Sequence, residues 1–323
     1  MASTLHGHSC VTSRQQAHRT ISDPAIGPLD AARDAPFDAY HVISAVAHGG
    51  TSTVYLGEHR ATGARVAIKM LDALYAGYGE LADRLLHEHA LARRVRHPGL
   101  LDIRHAGRTS SGTPYLAMEY LDGESLGALV DRLLPIAEVI AIGAQIASAA
   151  TALHAAGIVH CDLKPGNVIV LRERGPGGRP RVKVIDYGVA RLVDEPPLAE
   201  GMIAGTPAFM APEQWHGAPS PKSDVYALGC LLYLLVTGEP VFCGGLRKLM
   251  LAHGEQMPER PAARRPDLDP SLDRLIVRAL AKDPALRPTM ADACAELTRL
   301  TPLGYRAREE IPASLAERLE ATG

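Results

Sequence analysis

The pattern of apolar and polar positions divides the chain into a strand-rich part followed by a longer helical part. Between residues 40 and 70, short runs of β-branched and apolar residues alternate with glycine-containing turns, which predicts antiparallel strands. Glu80–Val95 repeats leucine and valine at helical spacing and is predicted to be an amphipathic helix. The apolar runs Ile136–His154 and Val225–Val236 predict buried helices, and Asp269–Leu300 predicts two or three amphipathic ones.

The two ends of the chain lack this periodicity. Residues 1–36 are rich in Ser, Thr, His, Asp and Pro, and we expect them to be disordered. His6, His8 and Cys10 have no fourth ligand at zinc-like spacing, so a polar tail is expected there rather than a metal site. Residues 301–323 are expected to form a second short polar tail.

Composition and charge exclude several classes of protein. The 323 residues are 46% hydrophobic and 22% charged, with a formal net charge of −2, which argues against a general nucleic-acid or membrane-surface binder. The apolar runs are too short or too interrupted to span a bilayer, and polar residues near the N-terminus exclude a signal peptide. Five scattered cysteines without a CxxC pair fit a reducing compartment, so a cytoplasmic location is expected.

The stretch from Ile158 to Val170 contains the most informative chemistry. Two apolar triplets, predicted as a pair of strands, flank a polar loop that contains Asp162, Lys164 and Asn167. An acid that accepts a hydroxyl proton, a lysine that neutralises phosphate and an amide that binds metal suit phosphoryl transfer. A second strand, Val182–Ile185, ends in Asp186, which supplies a further metal-binding carboxylate.

In this order and spacing, the two segments resemble the catalytic loop and metal-binding turn of eukaryotic-type serine/threonine protein kinases, in their bacterial form. The resemblance covers roughly residues 40 to 298 and implies a two-lobed α+β fold. A small antiparallel-sheet lobe with one main helix (37–121) would precede a larger, mostly helical lobe (122–300), with ATP in the cleft between them. Asp162 would be the base and Lys164 would stabilise the γ-phosphate, while Asn167 and Asp186 would hold Mg²⁺, with Mn²⁺ possible.

The resemblance also implies a nucleotide site. Lys69 would contact the α- and β-phosphates and be held by Glu88, while Met118 would close the rear of the adenine pocket. Glu119 and Leu121 would lie in the hinge between the lobes, where their backbone groups would bind the adenine edge. Ala47 and Ser52 replace the expected first and third glycines of the phosphate loop. The full set of ATP-binding residues implied is Ala47, His48, Gly49, Gly50, Thr51, Ser52, Val54, Ala67, Lys69, Glu88, Met118, Glu119, Leu121 and Ile169. Taken singly, the glycine segment also fits a plain turn, Lys69 also fits a solvated strand end, and the strand that contains Met118 also fits an edge strand.

Four further residues match positions of the same family that organise the acceptor site and the loops around it. Thr206, in Gly205-Thr206-Pro207, would line the hydroxyl-acceptor site together with Lys164, as in the serine/threonine branch that the chain resembles, so a protein substrate is expected. Asp224 would tether the backbone of the catalytic loop. Arg287 would pair with Glu213 in a buried ion pair that favours one fold.

The segment between Gly188 and Gly205 contains no Ser, Thr or Tyr. Phosphorylation orders such a loop by adding a phosphate that pairs with arginine, and Cys161 replaces the arginine that usually precedes the catalytic Asp. We therefore predict that activity does not depend on loop phosphorylation. Regulation is then expected through a protein partner or through ATP itself.

Two other functional classes fit part of the pattern. A pseudokinase scaffold would tolerate the incomplete glycine loop, but the complete set of Lys69, Asp162, Asn167 and Asp186 favours catalysis. A small-molecule phosphotransferase would share only the central loop, whereas the segment from Gly205 to Glu213 is typical of kinases that act on proteins.

Overall fold

The computed structural model describes residues 39–75, 77–198 and 204–301. The tails predicted over 1–36 and 301–323 therefore lie outside the described residues, apart from Thr301, and so do His6, His8 and Cys10.

Five antiparallel strands form the sheet of the smaller lobe in the order β1-β2-β3-β5-β4. They are β1 Tyr40–His48, β2 Ser52–His59, β3 Arg65–Leu71, β4 Ile103–Arg108 and β5 Pro114–Glu119. One long helix, α1 Gly79–Ala92, joins β3 to β4 and packs against the sheet. The smaller lobe is thus the sheet with one main helix that the sequence predicts.

Helix α1 is shorter at its C-terminus than the predicted Glu80–Val95. It ends at Ala92, because the N–H of Arg94 bonds to the carbonyl of Leu91 at 3.0 Å and tightens the chain into a turn. Val95 leaves the helix but still packs against the core.

The larger lobe is mostly helical. Its helices are α2 Leu126–Leu129, α3 Ile136–Ala155, α4 Pro221–Thr237, α5 Leu246–Glu255, α6 Pro261–Arg264, α7 Pro270–Ala279 and α8 Met290–Leu300. Short 3₁₀ turns occupy Ala73–Tyr75, Val130–Arg132, Pro165–Asn167, Pro176–Gly178, Pro207–Phe209, Pro212–His216 and Pro284–Leu286. The two-lobed α+β fold expected from the sequence is confirmed.

Two small antiparallel sheets lie beside the polar loop of the larger lobe. The first contains β6 Gly123–Ser125, β8 Val168–Leu171 and β9 Val182–Val184, and the second pairs β7 Ile158–Val159 with β10 Arg191–Leu192. The two strands predicted to flank the loop, β7 and β8, are present, and they belong to different sheets. The loop bridges two sheets, and both position it.

One hydrophobic cluster runs through both lobes, from Leu85 on α1 to Ile146 on α3 and Leu231 on α4. The segment after α1 lies beside β9, where the N–H of Leu101 donates to the carbonyl of Val184 at 3.0 Å. This contact joins the sheet lobe to the strand that precedes Asp186.

Among the described residues, one helix is long and apolar enough to cross a membrane, α3. Of its apolar window, 67% is buried inside the structure, as in the core helix of a globular protein.

Candidate active site

The backbone of the catalytic loop is fixed by Asp224 at the start of α4. Its carboxylate accepts the N–H of His160 at 2.8 Å and the N–H of Cys161 at 2.9 Å, and His154 Nε2 lies 2.8 Å away. From the other side, Gln214 Nε2 donates to the carbonyl of Cys161 at 2.8 Å. Cys161 is thereby held at a φ of 65°, in the left-handed region that a non-glycine residue adopts only under constraint.

Asp162, Lys164 and Thr206 form one hydrogen-bonded group. The hydroxyl of Thr206 donates to Asp162 Oδ1 at 2.7 Å and accepts from Lys164 Nζ at 2.8 Å. Lys164 Nζ also lies 2.7 Å from Asp162 Oδ2, and Asn167 Nδ2 donates to that oxygen at 3.1 Å. The structure therefore places a carboxylate and an ammonium group on the same side-chain hydroxyl, although these residues span 44 positions of sequence.

Lys69 lies between two carboxylates. Its Nζ is 2.8 Å from Glu88 Oε2 and 3.0 Å from Asp186 Oδ1. Burial by itself would lower the pKa of Lys69, but the charges of Glu88 and Asp186 outweigh it and raise that pKa above its ordinary value. Burial likewise opposes the ionised form of Asp186, yet Lys69 holds the pKa of Asp186 below its ordinary value. The lysine is thus charged and held where β3 and α1 approach β9.

The turn after β9 places the Asp186 carboxylate beside Lys69. Asp186 has a φ of 67°, and its own Oδ1 accepts the N–H of Gly188 at 3.3 Å. The next residue, Tyr187, is buried in the core, where its N–H donates to Glu88 Oε1 at 3.3 Å. Tyr187 therefore connects the turn to α1.

The oxygen donors that would hold a divalent metal lie on Asn167 and Asp186. Among the described residues, no group of three His, Cys, Asp or Glu side chains forms a metal site. Magnesium is commonly bound by one or two protein oxygens together with phosphate oxygens and water. Because Asn167 Nδ2 is occupied by Asp162, its amide presents the oxygen for such a role. The donor set thus fits a hard cation that arrives with a phosphate.

The predicted phosphate loop is the turn between β1 and β2. The N–H of Gly49 donates to the carbonyl of Ser52 at 2.7 Å, and a Cβ on Gly49 would lie 3.1 Å from that oxygen. Gly50 has open space around it. At the base of the turn, Thr53 donates to Asp72 Oδ1 at 2.7 Å, and His48 Nδ1 lies 3.0 Å from the Thr53 hydroxyl. Side-chain hydrogen bonds therefore order a turn in which Ala47, Thr51 and Ser52 stand beside the glycines.

The predicted adenine site lies along β3, β5 and β8. Ala67 faces Met118 across the β3–β5 ladder, and both are buried. Val54 and Leu121 are partly buried against the same core cluster, and Ile169 is half-buried on β8. The side chain of Glu119 accepts from Lys183 Nζ at 2.6 Å and from the N–H of Asp102 at 2.8 Å. A contact between the Glu119 and Leu121 backbone and adenine stays a prediction, as does the lobe boundary at Leu121.

Glu213 and Arg287 form a two-pronged ion pair. Nη1 and Nη2 of the arginine lie 2.7 and 2.9 Å from the two carboxylate oxygens, and Ser223 donates to Glu213 at 2.6 Å. The arginine side chain is 0% exposed. This pair connects the segment that ends at Glu213 to the segment between α7 and α8.

Sequence reasoning missed three residues near the site. Gln214 anchors the catalytic loop, Arg191 on β10 pairs with Glu195, and Lys183 pairs with the hinge residue Glu119. Burial raises the pKa of the Cys161 thiol, and Asp224 adds to this effect, so the thiol stays neutral. Because cysteine has no cationic form, Cys161 cannot supply the positive charge of the arginine it replaces. Arg191 was visible in the sequence as the one Lys or Arg between Gly188 and Gly205.

Comparison with known proteins agrees with this geometry. A family model described as the protein kinase domain matches residues 40–297. The chain is 38% identical, over 86% of its length, to the serine/threonine-protein kinase Pkn1 of Myxococcus xanthus. It is 34% identical to pkn3 of the same organism and 33% identical to PknA of Mycobacterium tuberculosis, over 79% and 87% of its length. It spans 41%, 48% and 68% of these three relatives.

Proposed function

The chain belongs to the protein kinase family, and on that basis we propose that it transfers the γ-phosphate of ATP to Ser or Thr hydroxyls of protein substrates. The observation that supports this most directly is the hydroxyl of Thr206, which lies 2.7 Å from Asp162 Oδ1 and 2.8 Å from Lys164 Nζ. A substrate hydroxyl placed beside the same two groups would have a proton acceptor and a cation within reach.

Positioning and charge account for most of the catalysis in phosphoryl transfer. Asp162 would orient the acceptor hydroxyl and take its proton as the new O–P bond forms and the bond from the γ-phosphorus to the oxygen of the departing ADP breaks. Lys164 would stabilise the charge on the transferred group. Lys69, held by Glu88, would bind the α- and β-phosphates. Cation charge that is already fixed in place needs no reorganisation during the reaction.

We propose Mg²⁺ as the divalent ion, with Mn²⁺ as a possible substitute, held by Asn167 and Asp186. Bound there with ATP, the ion would neutralise negative charge on the phosphates. The contact of Asp186 with Lys69 at 3.0 Å keeps the carboxylate beside the site where phosphate is expected.

A nucleotide-binding scaffold is the second candidate. It is favoured by Ala47 and Ser52, which replace two glycines of the phosphate loop. Against it stand the hydrogen bonds that join Asp162, Lys164, Asn167 and Thr206. A protein that only binds nucleotide does not require a carboxylate and an ammonium group beside an acceptor hydroxyl.

We also propose that the domain is located in the cytoplasm and that a protein partner regulates its activity. Among the described residues, Cys161, Cys230 and Cys294 are free thiols, which fits a reducing compartment.

Purified protein is expected to transfer phosphate from ATP to Ser or Thr, on a basic acceptor protein or on itself, when Mg²⁺ is present. Asp186→Ala removes the carboxylate that contacts Lys69 and is expected to reduce transfer by about 100-fold or more. Transfer is measured with labelled ATP, and mass spectrometry identifies the modified residues.

Phosphate on Ser or Thr that disappears in Asp186→Ala would support a kinase. Nucleotide binding without transfer in wild-type protein would support the scaffold instead. Folding of each protein is checked by circular dichroism, so that a loss of transfer is not confused with unfolding.

Activity is expected to survive removal of all phosphate from the protein. The segment between Gly188 and Gly205 offers no acceptor hydroxyl, and the Thr206 hydroxyl is engaged by Asp162 and Lys164. The initial rate after phosphatase treatment should therefore match the untreated rate. A phosphate on Thr206 that proved necessary for turnover would contradict this expectation.

A further inference from the structure

Glu195 lies in a turn just after β10, where Arg191 binds its carboxylate. Arg191 Nε is 3.2 Å from Glu195 Oε2, and the side chains are 14% and 30% exposed. The same guanidinium donates to the carbonyl of Pro196. The arginine therefore fixes both the side chain of Glu195 and the backbone of the turn beyond it.

The backbone of Arg191 is tied to the catalytic loop. In the β7–β10 sheet, Arg191 lies opposite Val159, two residues before Cys161, and the N–H of Val193 donates to the carbonyl of Gly157 at 2.8 Å. A charge bound by Arg191 is thus held at a fixed place beside this loop.

The other oxygen of Glu195 faces α1. Its Oε1 lies 3.8 Å from His87 Nε2, and His87 is the neighbour of Glu88 in the sequence. These side chains line an open cleft between α1 and the segment after Asp186, which also contains Asp83, Arg84 and Leu198. The carboxylate of Glu195 therefore lies between Arg191, on the catalytic-loop side of the cleft, and His87 on α1, the helix whose Glu88 contacts Lys69.

An anion at this place can order the segment by pairing with arginine, as a loop phosphate would. The segment has no residue to carry a phosphate, but it has Glu195 and its arginine. Although Cys161 occupies the position of the usual arginine, Arg191 supplies a guanidinium beside the same loop.

We propose that Glu195 is a positioning residue, a built-in anion that holds the segment Asp186–Leu198 against α1 and so keeps Glu88 on Lys69. It does this through Arg191 and His87 and touches neither ATP nor the acceptor. The proposal deepens the kinase function proposed above and rests on it.

The test compares Glu195→Gln, which keeps the shape and removes the charge, with Asp194→Asn, which removes an exposed charge from the adjacent position. Glu195→Gln is expected to lower kcat about tenfold, the size of a typical coupling between sites. KM for the acceptor and the melting temperature should change little. Glu195→Asp, which retains a carboxylate, should recover part of the lost kcat, and Asp194→Asn should match wild type.

A double-variant cycle tests whether the effect of Glu195 on kcat depends on Arg191. If Glu195 acts through Arg191, adding Glu195→Gln to Arg191→Gln should lower kcat no further. A kcat of Glu195→Gln equal to that of Asp194→Asn would overturn the proposal, and so would fully additive losses in the cycle.

Hydrogen exchange of α1, residues Gly79–Ala92, supplies a readout that does not require transfer. Amides of α1 should exchange faster in Glu195→Gln than in wild type and Asp194→Asn, because the helix loses its tie to the segment. Unchanged exchange would overturn the positioning role even in an active enzyme. If α1 exchanges faster in Glu195→Gln but the wild-type protein transfers no phosphate, only the kinase function would be contradicted.

Discussion

Asp162→Asn is expected to reduce phosphoryl transfer by about a thousandfold, within the range known for loss of a general base. The substitution keeps the size of the side chain and an oxygen that can accept the Thr206 hydroxyl bond. It removes the negative charge that Lys164 contacts at 2.7 Å and the group that would take the acceptor proton. Nucleotide affinity should change little, because the α- and β-phosphates are assigned to Lys69.

The measurement pairs single-turnover transfer with nucleotide binding by calorimetry. Asp131→Asn, an exposed position outside the site, is the matched control and should behave as wild type. Comparable turnover in Asp162→Asn would show that the base is assigned to the wrong residue. Loss of both binding and transfer would show that Asp162 organises the nucleotide site rather than the acceptor.

Local sequence patterns predicted the elements that carry the site, because each is encoded within a few residues. The apolar triplets around the catalytic loop are β7 and β8, and the strand before Asp186 is β9. The Lys69–Glu88 contact was also anticipated, although only through the resemblance to a family. Nothing in the spacing of 19 residues by itself requires a contact.

What sequence reasoning missed depends on contacts between distant segments. The pairing of β7 with β10 brings Arg191 beside the catalytic loop, and a two-residue strand has too little pattern to be recognised. Gln214 reaches the carbonyl of Cys161 across 53 positions. The end of α1 was misplaced for the opposite reason, since Val95 continues the helical spacing but lies beyond the last turn of the helix.

Arg287→Ala is expected to lower the free energy of unfolding by about 4 kcal/mol, the usual cost of removing one partner of a buried ion pair. Three nitrogens of Arg287 donate to Glu213 or to the carbonyls of Ala281, Lys222 and Lys282, and all of these bonds would be lost. In a domain of this size, the melting temperature should fall by about 10 °C. Arg278→Ala, which breaks an exposed arginine–glutamate pair in the same lobe, should cost about 1 kcal/mol or less.

The effect of Arg287→Ala should depend on pH in a definite direction. Burial opposes the ionised form of Glu213, but hydrogen bonds from Arg287 and Ser223 outweigh it and hold the pKa of that carboxyl below its ordinary value. A lowered pKa in the folded state contributes stability that is complete above the unfolded pKa and is lost as pH falls through the folded one. The stability gap between wild type and Arg287→Ala, measured by urea unfolding, should therefore be widest near neutral pH and narrow in acid. A gap that stayed constant from neutral pH into acid would mean that Arg287 stabilises the lobe by packing and backbone contacts rather than by its charge.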